Sequence, residues 1–181
     1  MIQELIVTTQ NAAGMVHLAP MGVHVHGNEI HILPFRPSTT LTNLLETKIA
    51  VLNYCDDVRI FAGCLTGRRD FKLNGLILKN ALAHSEVELV HVEDDDTRPK
   101  LICKILKTEN HAPFLGFNRA QYSVLEAAIL VSRLKMLPIE KIDSEIAYLK
   151  IGLEKTASER ELEAWGWLMN EIELFKKENM K

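Results

Sequence analysis

The ten residues Val23 to Ile32, VHVHGNEIHI, constrain what this chain can fold into more than any other stretch. Apolar and polar residues alternate on both sides of Gly27-Asn28, and a period of two marks strands with one buried face. Glycine at the first central position suits a two-residue type II′ turn, so the two runs close into an antiparallel hairpin. That register pairs His26 with Glu29, Val25 with Ile30, His24 with His31 and Val23 with Ile32. Val23, Val25, Ile30 and Ile32 then share the core face. His24, His26, Glu29 and His31 share the other face, which meets solvent, a partner subunit or a ligand.

Strand signals dominate the first ~110 residues. Met1 to Thr9 reads as a strand, Lys48 to Asn53 as a short buried one, and Ala81 to Val92 and Leu101 to Leu106 as two more. The polar tract Glu93 to Pro99 must be a turn between the last two. A short helix carries Leu41, Leu44 and Leu45, and Val58, Phe61, Ala62 and Leu65 give Asp56 to Leu65 helical spacing. Gly67-Arg68-Arg69-Asp70 is expected to be a loop. Antiparallel strands joined this way suggest a barrel or an open sheet.

From Asn118 the period changes to that of helices. Asn118 with Gln121 and Ser158 with Glu161 resemble capping boxes. Pro138 fits the first turn of a helix that carries Ile139, Ile142, Ile146, Leu149 and Leu153. Leu162, Trp165, Met169, Ile172 and Phe175 form an apolar stripe on the last one. The expected class is therefore mainly β, with a domain over residues 1–117 and a helical C-terminal segment over 118–181.

A net charge of −3 gives no electrostatic reason to expect nucleic acid or an anionic membrane as partner. The three cysteines, Cys55, Cys64 and Cys103, form no CxxC pair, which suits a reducing cytoplasm and argues against a disulfide framework. The N-terminal segment lacks a basic region followed by an apolar run, so no signal peptide is expected. No apolar run reaches about 18 residues, so no membrane span is expected.

Arg36, Ser38, Thr39 and Thr40 stand just before or at a helix start. A helix N-terminus offers unpaired amide donors and a partial positive charge, and hydroxyls with an arginine fork can complete a phosphate site. The same residues can equally be a plain Ser/Thr cap beside a solvated arginine.

The order of motifs around them resembles the flavin-reductase-like branch of the FMN-binding split-barrel superfamily. The relevant strings are Ala19-Pro20-Met21-Gly22, Thr40-Leu41-Thr42-Asn43 and Val51-Leu52-Asn53. The later GFNRAQYSVLEAAILVSR is similar to an uncharacterised prokaryotic family of such proteins with a helical C-terminal extension. The resemblance implies an FMN-binding split β-barrel working as a homodimer, with FMN at the subunit interface. It places Met21, Gly22 and Val23 along the isoalloxazine, and Arg36, Ser38, Thr39 and Thr40 around the 5′-phosphate. Asn43 and Asn53 match the family's helix and strand-end asparagines. Redox chemistry by hydride or electron transfer follows from the cofactor, with a nicotinamide or another electron donor. No nicotinamide pattern is visible, so a flavin-binding electron carrier is the alternative, and no catalytic residue is named.

His24, His26 and His31 with Glu29 have a composition that could hold zinc, which gives a third reading. A polar sheet or dimer-interface face is the plainer account, because a metal site also needs surrounding support, and no metal is assigned. Asn118 and Arg119 could reach an anion or simply cap a helix. Glu93 to Asp96 lacks EF-hand spacing and reads as a solvated turn. Cys55 receives no catalytic role, and Trp165 and Trp167 read as helix packing.

Overall fold

A computed structural model describes residues 1–68 and 70–179; of the expected loop at 67–70, Arg69 lies outside the described residues. The chain divides into two compact units, one of Met1–Cys55 with Phe71–Phe114 and one of Asp56–Asp70 with Leu115–Lys181.

The first unit is built on β1 (Ile2–Gln10), β2 (Val16–His26), β3 (Glu29–Ile32), α1 (Thr39–Thr47), β4 (Ile49–Tyr54), β5 (Leu73–Asn74), β6 (Ile77–Leu78), β7 (Ala83–Glu93) and β8 (Lys100–Asn110). Six strands close into an antiparallel barrel in the order β1-β2-β3-β8-β7-β4, and β4 pairs back onto β1. The β2–β3 hairpin has the register that its alternation dictates: His24 faces His31, Val25 faces Ile30 and His26 faces Glu29. Gly27 turns the chain at φ +62°, a conformation glycine adopts without steric cost. Val23, Ile30 and Ile32 enter a core with Leu5, Val7, Leu52, Val87 and Leu101, while Val25 packs at its edge. Each such aliphatic side chain contributes about 1.5–3 kcal/mol on full burial. Register shifts between Glu86 and Val87 and between Leu89 and His91 bend the β7–β8 ribbon, which helps a closed sheet to curve.

Helix α1 buries Leu41 and Leu44 in the barrel core, whereas Leu45 is exposed. Two elements differ from the sequence expectation. β8 runs four residues past Leu106, because pairing with β7 continues through a segment with no apolar alternation. The β5–β6 hairpin, two residues per strand, is too short to carry a period. Asn53 holds it in place. This fully buried amide accepts from the Leu78 N–H at 2.8 Å and donates to Thr8 Oγ1 at 3.1 Å, while Thr8 Oγ1 donates to the Leu76 carbonyl.

The second unit contains α2 (Arg59–Leu65), α3 (Arg119–Ser132), α4 (Ile139–Thr156) and α5 (Glu159–Asn179). Its core gathers Ala62, Val124, Leu149, Leu153, Trp165 and Leu168. Asn118 caps α3, accepting from the amides of Ala120 and Gln121, and its own amide donates to the Thr156 carbonyl. The Ser158 N–H donates to the Glu161 carboxylate at 2.9 Å, as a capping box requires. Helices α3 and α4 cross so closely at Gly152 that a Cβ there would lie 2.8 Å from Ser123 Oγ. On α5 the buried stripe runs through Glu161, Ala164, Trp165, Leu168 and Ile172. Leu162, expected on that stripe, is exposed, because it stands one residue round the helix from Glu161.

Candidate functional site

The segment from Leu33 to Ser38 leads out of the hairpin into α1, and the acidic turn between β7 and β8 clasps it. The Arg98 Nε donates to the Leu33 carbonyl at 2.9 Å, and its guanidinium lies 4.9 Å from the Phe35 ring centre. The Arg36 N–H donates to the Thr97 carbonyl at 2.9 Å. Asp95 organises the turn by accepting from the amides of Thr97 and Arg98, and those bonds hold its carboxyl below the usual carboxylate range.

Ser38 then caps α1 in extended conformation. Its hydroxyl accepts from the Leu41 N–H at 3.4 Å, and its carbonyl accepts from the Thr42 N–H at 3.1 Å. The amides of Thr39 and Thr40 have no protein acceptor among the described residues, as expected for the first turn of a helix. No acidic residue occupies that turn. It opens on a cleft of about 520 Å³ lined by Asn11, Pro37, Ser38, Thr39, Thr42, Asn43 and Glu46. The Glu46 carboxylate is engaged by the Ala12 N–H at 3.1 Å. The Thr39 amide, two hydroxyls from Ser38 and Thr39 and a helix dipole suit an anion with several oxygens.

The residues singled out from the sequence fall into separate groups. Ser38, Thr39 and Asn43 line the cleft. Thr40 is buried and does not line the cleft. The Asn43 amide donates to Thr9 Oγ1 at 3.0 Å and fixes α1 to β1. Arg36 does not line the cleft: Nη2 donates to Asp94 Oδ1 at 2.6 Å and Nε to the Asp95 carbonyl at 3.0 Å. Val23 is wholly in the core and Met21 packs against it, so of these three β2 residues Gly22 alone lies on the outer face. Asn53 is spent on the β5–β6 hairpin. Sequence reasoning missed Asn11, Thr42 and Glu46. Thr42 and Glu46 carried a usable signal, since they follow Ser38 and Thr39 at helical spacing on the same face.

The outer face of the hairpin carries three imidazoles. The rings of His26 and His31 stack with centres 4.4 Å apart, and His24 lies 6.4 Å from His26. Nε2 of His31 is 3.6 Å from the Glu29 carboxylate. Among the described residues no group of three His, Cys, Asp or Glu side chains is arranged to hold a metal ion, so geometry lends the zinc reading no support. Local desolvation, then His31, the N-terminal ammonium and His24, push the His26 imidazole below its ordinary value, against an upward pull from Glu29. Folded His26 therefore binds a proton less readily than the unfolded chain. Its contribution to stability is present above the ordinary imidazole range and is lost as pH falls through the lowered value. The thermal midpoint is expected to drop between pH 7.5 and 5.5, and to drop less in His26→Gln; the same drop in both proteins contradicts the assignment.

Residues 3–112 match the model of the N-terminal domain of a protein family of unknown function, DUF447. The chain belongs to this family. A second DUF447 model matches residues 118–170. Among solved structures, an FMN-bound DUF447 protein from Methanosarcina mazei superposes with a TM-score of 0.80 at 21% identity, covering 94% of each chain. The flavin reductase HpaC, complexed with NADP+, superposes at 0.54 with 18% identity over 63% of this chain and 81% of its own. The 2-nitrobenzoate 2-nitroreductase NbaA of Pseudomonas fluorescens gives 0.52 with 19% identity, over 60% and 64%. No protein of curated function matches the sequence. The DUF447 chain thus has the fold of the FMN-binding split barrel, extended by helices, as the motif order implies. Among the described residues no helix is long and apolar enough to cross a membrane.

Proposed function

We propose that this protein binds FMN and uses it for redox chemistry as a homodimer, with the cofactor between two copies of the chain. The observation that carries the reading is the hydroxyl-lined cleft at the amino end of α1, where the Thr39 amide has no protein acceptor among the described residues. Support comes from the DUF447 relative that was crystallised with FMN. In this reading residues 1–117 hold the cofactor, and 118–181, joined by the residues around α2, form an appendage.

Ser38, Thr39 and the Thr40 backbone receive the 5′-phosphate, and Arg36 joins them by leaving Asp94. The isoalloxazine lies along β2 at Met21, Gly22 and Val23, meeting backbone and the bare Gly22 surface. Asn43 and Asn53 brace the site rather than touch the ligand, since their amides are already engaged within the protein. Bound FMN supplies hydride or single-electron transfer, and the protein supplies position, charge and access. The flavin reductase complexed with NADP+ suggests a nicotinamide as electron donor. A cytoplasmic setting belongs to the same reading, on the sequence spacing of Cys55, Cys64 and Cys103.

Anaerobic mixing of the FMN-loaded protein with NADH or NADPH tests the redox reading. Bleaching of the flavin band in seconds to minutes is expected. A band that neither nicotinamide bleaches, but a chemical reductant does, overturns the reductase reading in favour of an electron carrier.

A further inference from the structure

The outer face of β2 has a bare patch with one charge over it. Gly22 pairs with Glu4 on β1, and paired residues point to the same side of a sheet. Val23 faces the core, so Gly22 and Glu4 face outward. The Glu4 side chain folds across the glycine: a Cβ added at Gly22 would lie 2.9 Å from Glu4 Oε1 and 3.1 Å from Ile2 Cγ2. A flat group resting on the Gly22 backbone therefore meets this carboxylate. Glu4 is exposed, and no hydrogen bond or ion pair to it is present among the described residues. Its negative charge is thus not neutralised by a neighbouring cation. The side chain is tethered directly opposite Gly22, on a strand about 5 Å away. It can swing aside for a ligand while its backbone stays on the neighbouring strand.

We infer that Glu4 sets the redox balance of the bound cofactor, holding negative charge at the edge of the isoalloxazine and favouring its oxidised over its reduced form. This rests on the reading that FMN lies over Gly22. Two-electron reduction adds negative charge to the ring system, and charge near the ring nitrogens is one of the ways a protein tunes a flavin. Between two charges about 6 Å apart at an effective dielectric constant between those of water and of a protein surface, repulsion amounts to about a tenfold change in the ratio of affinities for the two forms. The protein then binds oxidised FMN preferentially and releases electrons readily once reduced.

The test is the midpoint potential of FMN on the full-length protein, measured anaerobically against a reference dye in the wild type, Glu4→Gln and Glu4→Lys. Glu4 is exposed and makes no hydrogen bond or ion pair among the described residues, so both variants are expected to fold. Glu4→Gln is expected to raise the potential by about 30 mV, the equivalent of a tenfold change for a two-electron couple. Glu4→Lys is expected to raise it by about twice that, since the charge is reversed rather than removed. If all three proteins bind FMN one to one and their potentials agree within the equivalent of about threefold, Glu4 does not face the ring and the inference fails. If the wild type takes up no FMN, the underlying cofactor reading fails and this inference with it.

Discussion

Replacing Asp57 with asparagine lowers the stability of the helical unit by about 3 kcal/mol, the lower end of the range for breaking one partner of a buried ion pair. Asp57 is 2% exposed and stands just before α2. Its carboxylate accepts from Arg59 Nε at 2.9 Å and Nη2 at 2.7 Å, and from the Arg59 N–H at 3.2 Å. Burial works to raise the Asp57 carboxyl, but the Arg59 hydrogen bonds and charge outweigh it and hold the group below its ordinary value. The amide keeps the shape but loses the charge and can no longer accept a parallel pair of N–H bonds. The Arg59 guanidinium then keeps only Glu163, whose Oε2 lies 3.2 Å from Nη1. Because the Arg59 side chain is 31% exposed, solvent screens part of the loss, which is why the low end of the range applies. Both tryptophans, Trp165 and Trp167, lie in this unit, so their fluorescence during urea unfolding reports on it. The midpoint should fall markedly at pH 7, and the difference from wild type should shrink as pH falls through the lowered Asp57 value, where the wild-type carboxylate is itself protonated. Coincident curves at pH 7 would show that the pair is not stabilising.

Arg36→Ala is expected to weaken FMN by roughly tenfold to a hundredfold while leaving riboflavin nearly unchanged, because a hydrogen bond to a charged group contributes about 1.5–3 kcal/mol and only FMN carries the phosphate. In the structure the Arg36 guanidinium is held by Asp94, whose side chain is 81% exposed. Such a surface pair is worth about 0–1 kcal/mol, less than the bond to a phosphate, so ligand binding wins the exchange. Asp94→Asn should therefore tighten FMN, by up to about fivefold, again without effect on riboflavin. Titrations of both flavins by fluorescence quenching check the pair. Equal losses for FMN and riboflavin in Arg36→Ala place Arg36 outside the phosphate site. Weaker FMN binding in Asp94→Asn means that Asp94 positions the guanidinium rather than competing for it.

Much of the barrel and of the α1 start is legible in the residues alone. The alternation around Gly27 determines both the pairing and the buried face of the β2–β3 hairpin, because a slip of one residue would put His24 and His31 in the core. The start of α1 was legible because Ser38 is a strong capping type that follows Pro37. What stayed hidden depends on contacts between residues far apart in the chain. Arg36 meets Asp94 across 58 positions, and no local pattern marks that pairing. The acidic tract reads as solvated, yet Asp94 and Asp95 clasp the approach to the cleft. The β5–β6 hairpin owes its place to one buried asparagine rather than to strand propensity. For Val23 the alternation itself gives the core position that its side chain takes, so motif order can bring only its backbone toward a cofactor.

In the proposed function the amino end of α1 grips a phosphate monoester. The most direct test of that grip is equilibrium titration of the wild-type protein with FMN and with riboflavin under the same conditions. One FMN per chain is expected, bound at least about tenfold more tightly than riboflavin, the margin of one charge-assisted hydrogen bond. Equal affinity for the two flavins, or no binding of FMN, would contradict it.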